Sequence, residues 1–174
     1  MFILDFDDTL FNTHAFKQIL PSLQADLYKE REKIKPLLLP EAISFLEFLQ
    51  NTNQPLILLS LGEAGFQKAK IDITGIAKFF HSIHITADAK ELAVGAILNE
   101  FKPDFAKATP GKKEEAWFIN DKIEETKKVI QEFPKLKPIL KKSPRFSEEE
   151  YKSSLMPYFS TLTEIQQYVE QQIK

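Results

Sequence analysis

The chain has 174 residues, 43% of them hydrophobic and 28% charged, with only 5 glycines, which excludes a disordered or fibrous protein and fits one globular domain with a full core. Its formal net charge of −2 excludes a nucleic-acid binder that works through a bulk basic surface, and the lack of cysteine excludes disulfides, thiolate zinc sites and cysteine nucleophiles. The start, Met1-Phe2-Ile3-Leu4-Asp5, has neither the basic region of a signal peptide nor the length of a membrane span, so a cytoplasmic protein without membrane attachment is expected.

Phe2 to Phe6 is a short apolar run of the kind buried on both faces of a parallel sheet. Phe16, Ile19, Leu20, Leu23 and Leu27 then follow helical spacing, with Pro21 starting or kinking a helix. Pro40 suits the first position of another helix, whose Ile43, Phe45, Leu46 and Leu49 would face the sheet. Leu56 to Leu59 is a second buried strand, with a helix expected at about 63–71. Ile83 to Thr86 is a further strand candidate, with a helix at about 88–101. Pro103 to Lys113 holds two prolines, a glycine and paired lysines, and reads as a surface loop. Ala116 to Ile119 is the third buried run, followed by a helix at about 122–132. Leu136 to Leu140 is a last strand candidate, which Pro138 should push to a sheet edge. Residues 143–160 look irregular or partly helical, and a final helix begins at Thr161, where Thr161 and Glu164 have capping-box spacing. Strand and helix alternate, which marks an α/β fold, and in such sheets ligands bind beyond the carboxyl ends of the strands.

The first run ends in Asp5-Phe6-Asp7-Asp8-Thr9-Leu10. If the strand persists through Asp7, its period of two sends the Asp5 and Asp7 carboxylates out on one side. Two such groups repel unless a cation or a shared proton compensates them, and Mg²⁺ suits hard oxygen ligands of this type. A carboxylate can also attack phosphorus directly, while a second one serves as acid and then base. The bland alternative is that Asp7, Asp8 and Thr9 only form a turn and a helix cap.

Asp-x-Asp-x-Thr-Leu after an N-terminal apolar strand resembles the first signature of the haloacid dehalogenase-like (HAD) hydrolase superfamily, mostly Mg²⁺-dependent phosphatases. The resemblance implies a three-layer α/β sandwich with a Rossmann-like, mostly parallel central sheet. It implies that Asp5 is the nucleophile and a metal ligand, and that Asp7 is the acid/base and lends its backbone carbonyl to the metal. Ser60, after the second run, fits the hydroxyl that bonds the transferring phosphoryl group, although it could instead cap the helix near Glu63. The phosphate-site lysine falls first on Lys90, which follows a strand candidate and opens a helix, and second on Lys102 in a Lys-Pro pair. Asp121, after the third run, matches the metal-binding acid, and Glu125 lies at the spacing of a second. Asn120 stands where the family usually has Gly, and Glu125 where it has Asp. Asp121 and Glu124 also have the spacing of an N-cap and its capping-box partner, so a purely structural role competes.

The segment at about 12–39 occupies the place of the family's cap insertion and is short, so the whole chain is expected to be a single HAD-like domain with a reduced helical cap. His81 and His84, three apart around a strand, project to opposite faces and His14 is remote, so packing or surface roles fit them better than metal ligation. The expected function is Mg²⁺-dependent hydrolysis of a phosphomonoester through an aspartyl-phosphate, on a phosphorylated substrate that the sequence does not identify. The sequence points to no protein partner. An inactive phosphate-binding or regulatory protein is the alternative, supported by the departures at Asn120 and Glu125. A receiver domain is a third, disfavoured because its phosphorylated Asp would sit at a later strand.

Overall fold

A computed structural model describes residues 1–105 and 115–173, with side chains described outside 102–105. Six parallel strands form one sheet in the order β3-β2-β1-β4-β5-β6. They are β1 (Phe2–Leu4), β2 (Leu56–Leu61), β3 (Ser82–Thr86), β4 (Trp117–Asn120), β5 (Lys137–Lys141) and β6 (Tyr158–Phe159). The helices are α1 (Thr13–Ile19), α2 (Arg31–Ile34), α3 (Ala42–Asn51), α4 (Ala64–Thr74), α5 (Lys90–Phe105), α6 (Ile123–Glu132), α7 (Glu148–Ser153) and α8 (Leu162–Ile173).

Alternation along the strands divides the core into two layers. Phe2, Leu4, Leu56, Leu58 and Ile119 pack with α3 residues Phe45 and Leu49 and α8 residues Ile165 and Val169. Ile3, Ile57, Leu59 and Phe118 point the other way, against Val94 and Ile97 of α5 and Val129 of α6. Every one of these side chains is essentially inaccessible to solvent, which is why the strands read as unbroken apolar runs. The result is the expected three-layer Rossmann-like sandwich.

Several local expectations change. Strand β1 ends at Leu4 rather than Phe6, and the first helix stops at Ile19, where Pro21 sits in a 3₁₀ turn (Leu20–Ser22). Leu27 lies in a separate 3₁₀ turn, so residues 12–39 form a chain of short helical pieces. In α3 the inward residue is Ala42, and Ile43 points outward. The short strand β6 was not legible as one. Helix α5 runs to Phe105, past the start of the expected loop, and the remainder of that loop (106–113) lies outside the described residues. The Thr161 and Glu164 cap is present: Glu164 N donates to Thr161 Oγ1 at 3.1 Å, and Thr161 N donates to Glu164 Oε2 at 3.0 Å. Among the described residues no helix is long and apolar enough to cross a membrane.

Pro138 does not place β5 at an edge, because β5 pairs with both β4 and β6. In a parallel strand successive N–H groups point to opposite sides. Lys137 N donates to Ala116 O beside β4, and Leu140 N donates to Pro157 O on the other flank. The nitrogen of Pro138 therefore faces the β6 side, below the point where β6 begins opposite Leu140, and no ladder bond is lost. Pro138→Val should shift the urea midpoint by less than about 1 kcal/mol, whereas Ile139→Pro, on the side facing β4, should cost about 3 kcal/mol or more. Equal effects of the two changes would contradict the pairing.

Candidate active site

The strand order reverses between β1 and β4, and the chain ends leaving these two adjacent strands carry the chemistry. Asp5 directly follows β1, where its N–H donates to Ile119 O of β4 at 2.9 Å. The residue is 3% exposed. Lys90 Nζ donates to Asp5 Oδ1 at 2.5 Å and Thr9 Oγ1 donates to Oδ2 at 3.2 Å. Burial pushes the Asp5 carboxyl above its ordinary pKa, although Lys90 pulls the other way. Burial also works against the Lys90 charge, but Asp5 and Glu125 more than reverse it and keep the ammonium protonated.

Lys90 opens α5 and is itself sealed from solvent. It donates to Asn120 Oδ1 at 3.1 Å and lies 3.0 Å from Glu125 Oε2. Asn120 in turn donates from Nδ2 to Thr126 Oγ1 and to Lys122 O, at 3.1 and 3.3 Å. The Asn at this position thus ties β4, α6 and the site lysine together, a task for which Gly has no side chain. Glu125 also pairs with Lys122, so its partners are cations on both sides.

Asp121 follows β4 and has no solvent exposure, and among the described residues neither carboxylate oxygen has a hydrogen-bond partner. It does not cap α6: the N-cap is Lys122, with no side-chain cap bond, and Glu124 pairs with Lys127 instead. Burial first, and the neighbouring Asp5 charge second, push the Asp121 carboxyl up to about 7. A buried carboxylate without donors is costly, and a cation is the natural remedy. Among the described residues no three acidic or histidine side chains converge on one point. Mg²⁺ does not need that, since it takes one or two carboxylates and keeps waters. The stranded oxygens of Asp121 beside Asp5 fit such an ion.

Asp7 lies beyond the end of β1, so the strand period does not align it with Asp5; the turn between them does, and both line one cavity of about 300 Å³. Three donors hold its carboxylate. Lys70 Nζ and Thr13 Oγ1 each reach Oδ1 at 2.6 Å, and Gln67 Nε2 reaches Oδ2 at 2.6 Å. Burial would raise the Asp7 carboxyl, but the Lys70 ammonium and these hydrogen bonds bring it below the usual range. Gly62, at φ +152°, sits against Gln67; a Cβ there would lie 2.8 Å from Gln67 Nε2 and displace it. Asp8 takes a different role, accepting from Thr13 N at 3.0 Å and pairing with Arg145 Nη2 at 3.1 Å.

Asp5, Lys90 and Asp121 are thus gathered at one point, and Asp7 faces the same cavity. Ser60 is buried in β2 with its hydroxyl unpartnered among the described residues, next to the cavity-lining Leu61 and Gly62. It does not cap α4, whose N-cap is Glu63. The side chain of the second lysine, Lys102, lies outside those described. Sequence reasoning missed Lys70, Gln67, Thr13 and Arg145. For the first two a signal exists: Gln67, Lys70 and Thr74 are polar residues on the buried face of α4. Of the histidines, His81 accepts from Leu56 N through Nδ1 at 3.1 Å, a packing role.

Solved structures of the same architecture span nearly the whole chain. A HAD-superfamily hydrolase from Ehrlichia chaffeensis matches at 19% identity and TM-score 0.64, covering 99% of this chain and 97% of the other. The chain has the HAD-hydrolase fold. A haloacid dehalogenase-like family protein from Streptococcus pneumoniae matches at 15% identity and TM-score 0.67, over 97% of each chain. A protein described as a HAD-hydrolase from Bacillus subtilis, solved bound to magnesium, matches at 13% and 0.60 over 96% of each chain. At such identities the likeness is one of fold. No protein-family model and no curated protein matches the chain.

The raised Asp121 pKa has a definite stability signature. A folded carboxyl that titrates above its unfolded value binds extra protons in the native state, so stability falls as pH climbs from about 4 through about 7. In EDTA, Asp121→Asn should be more stable than wild type by about 1–3 kcal/mol at pH 8, with the gap closing toward pH 4. Mg²⁺ should raise the melting temperature of wild type and not of the variant. A gap that does not vary with pH in urea melts would show that the carboxylate is not stranded.

Proposed function

We propose that the chain is a Mg²⁺-dependent HAD-like phosphatase that hydrolyses a phosphomonoester through a phosphoryl group carried on Asp5. The observation that carries this reading is the buried Asp121 carboxylate, without a hydrogen-bond donor among the described residues, beside an Asp5 already paired with Lys90. Asp5 and Asp121, with the Asp7 carbonyl, would hold Mg²⁺, which when bound neutralises phosphate charge and favours the approach of one anion to another.

The chain's own groups supply the rest. Asp5 Oδ attacks phosphorus in line; the P–O bond to the leaving group breaks as Asp7 passes it a proton. Water then attacks the aspartyl-phosphate and gives its proton to Asp7, and the bond from phosphorus to Asp5 breaks to regenerate the carboxylate. Lys90 holds Asp5 in place and offsets developing charge, and the Ser60 hydroxyl is available to the phosphoryl oxygens. Phe16 and Leu20, from the short helical segment that stands as a reduced cap, wall one side of the cavity and Phe66 another. This partial cover screens the reacting centre from water while leaving it open to the leaving group. A carboxylate attack on carbon, as in dehalogenation, would not itself call for a cation beside Asp121.

Phosphate release should be detected from at least one member of a phosphomonoester panel with Mg²⁺, and should vanish with EDTA. Asp5→Asn should lower kcat by about 10³-fold or more, as expected when a nucleophile is removed. Turnover by Asp5→Asn equal to that of wild type would remove Asp5 from the mechanism. Mg²⁺ binding without turnover across the panel would favour a phosphate-binding role.

A further inference from the structure

Lys70 is a lysine that α4 buries almost completely, at 2% exposure, in a part of the core otherwise built of rings. Its ammonium lies 5.2–5.5 Å from the ring centroids of Phe6, Phe11, Phe16 and Phe66. These faces attract the cation, but they do not replace the water it has lost. Its one hydrogen-bonded partner among the described residues is Asp7 Oδ1, at 2.6 Å. Apolar side chains in place of both Lys70 and its partner would remove two desolvated charges, and such replacements of whole buried ion pairs are often neutral or stabilising. Packing alone therefore gives no reason for a lysine here.

The arrangement at Asp7 supplies one. A carboxylate offers about four acceptor positions, two on each oxygen. Lys70 and Thr13 fill both positions on Oδ1, and Gln67 fills one on Oδ2. The remaining position, on Oδ2, has no protein donor among the described residues, and Asp7 faces the cavity it shares with Asp5. Thr13 belongs to α1 and Gln67 and Lys70 to α4, so two elements grip one carboxylate.

We infer that Lys70 is a positioning residue: with Thr13 and Gln67 it locks the Asp7 carboxylate in a single orientation, leaving Oδ2 as the only atom that exchanges a proton with the leaving group and with water. The inference rests on the phosphatase reading and adds to it a residue outside the strand-end motifs. Asp7 is ionised at rest, so Oδ2 first takes the proton of the bound phosphate monoanion; in the first step that O–H bond breaks, the proton goes to the departing oxygen, and the P–O bond electrons leave with that oxygen. In the second, Oδ2 takes one proton from the attacking water.

The test compares single-turnover release of the alcohol from benzyl phosphate, whose alkoxide needs a proton to depart, with release from p-nitrophenyl phosphate, whose phenolate does not. Wild type and Asp5→Asn are measured first. Lys70→Met, which keeps the volume of the side chain within the ring cluster, should slow benzyl phosphate by about 100-fold, the scale of a general-acid contribution, and p-nitrophenyl phosphate by less than about 3-fold, with KM unchanged. In an Asp7→Asn background Lys70→Met should have no further effect on benzyl phosphate, since it acts only through Asp7. Thr13→Val, which removes one donor from a less enclosed place, should show the same selectivity at smaller size and serves if Lys70→Met does not fold. Equal slowing of both substrates, or an undiminished Lys70 effect in the Asp7→Asn background, overturns the inference and leaves the phosphatase reading intact. Absence of Asp5-dependent turnover in wild type overturns both.

Discussion

The mutual repulsion of carboxylates held out of water is the constraint on which the site depends. Asp5, Asp7, Asp8 and Asp121 leave adjacent strand ends, and Asp5 and Asp121 are each almost or wholly inaccessible to solvent. Such a cluster is tolerable only if each charge is matched or neutralised. The chain matches three of the four with its own cations: Lys90 for Asp5, Lys70 for Asp7 and Arg145 for Asp8. Asp121 is left over. The fold thus pairs three carboxylates with cations and leaves one, among the described residues, without a hydrogen-bond donor.

The sheet makes this concentration possible. Because β1 and β4 are neighbours while their succeeding elements depart to different faces, the ends of these two strands open onto a shared crevice. Strand β1 throughout and β4 up to Ile119 are apolar and anchored on both faces, so the polar residues that follow inherit fixed backbones. Lys90 and Lys70 come from helices on opposite faces of the sheet. The helix α5 carrying Lys90 packs with one core layer, and α4 carrying Lys70 packs with the other. Each lysine reaches a carboxylate from its own side, so Asp5 and Asp7 are held independently of each other.

Much of this was legible in the sequence wherever local pattern and tertiary role coincide. Buried parallel strands must be apolar throughout, so Phe2, Leu56 and Trp117 announce their strands, and the residues just after them announce the site. Asp5, Lys90 and Asp121 are found together for that reason. What escaped was set by geometry across the chain. Nothing in the local pattern of Lys70 or Arg145 says that each will meet an aspartate near the first strand, 63 and 137 residues away. Pro138 misled because a proline reports only that its nitrogen cannot donate, while the side to which that nitrogen points depends on where β6 begins. The capping-box spacing of Asp121 and Glu124 misled because spacing gives opportunity, and here the helix begins one residue later with Lys122 as its N-cap.

The two departures from the usual HAD pattern bear on whether the site is a working one or a relic. Had Asn120 and Glu125 replaced Gly and Asp through relaxed selection, neither would be expected to enter a connected polar network. Instead both reach the same ammonium. Asn120 accepts from Lys90 while donating to Thr126 and to the Lys122 carbonyl, and Glu125 bridges Lys90 and Lys122. Each of the two side chains therefore strengthens the hold on the lysine that holds Asp5. A site that had lost its chemistry would gain stability by dropping the buried, unpartnered carboxylate before elaborating the support behind its neighbour. Asp121 keeps its buried place and the support behind Lys90 is elaborate, which weighs against reading Asn120 and Glu125 as marks of decay.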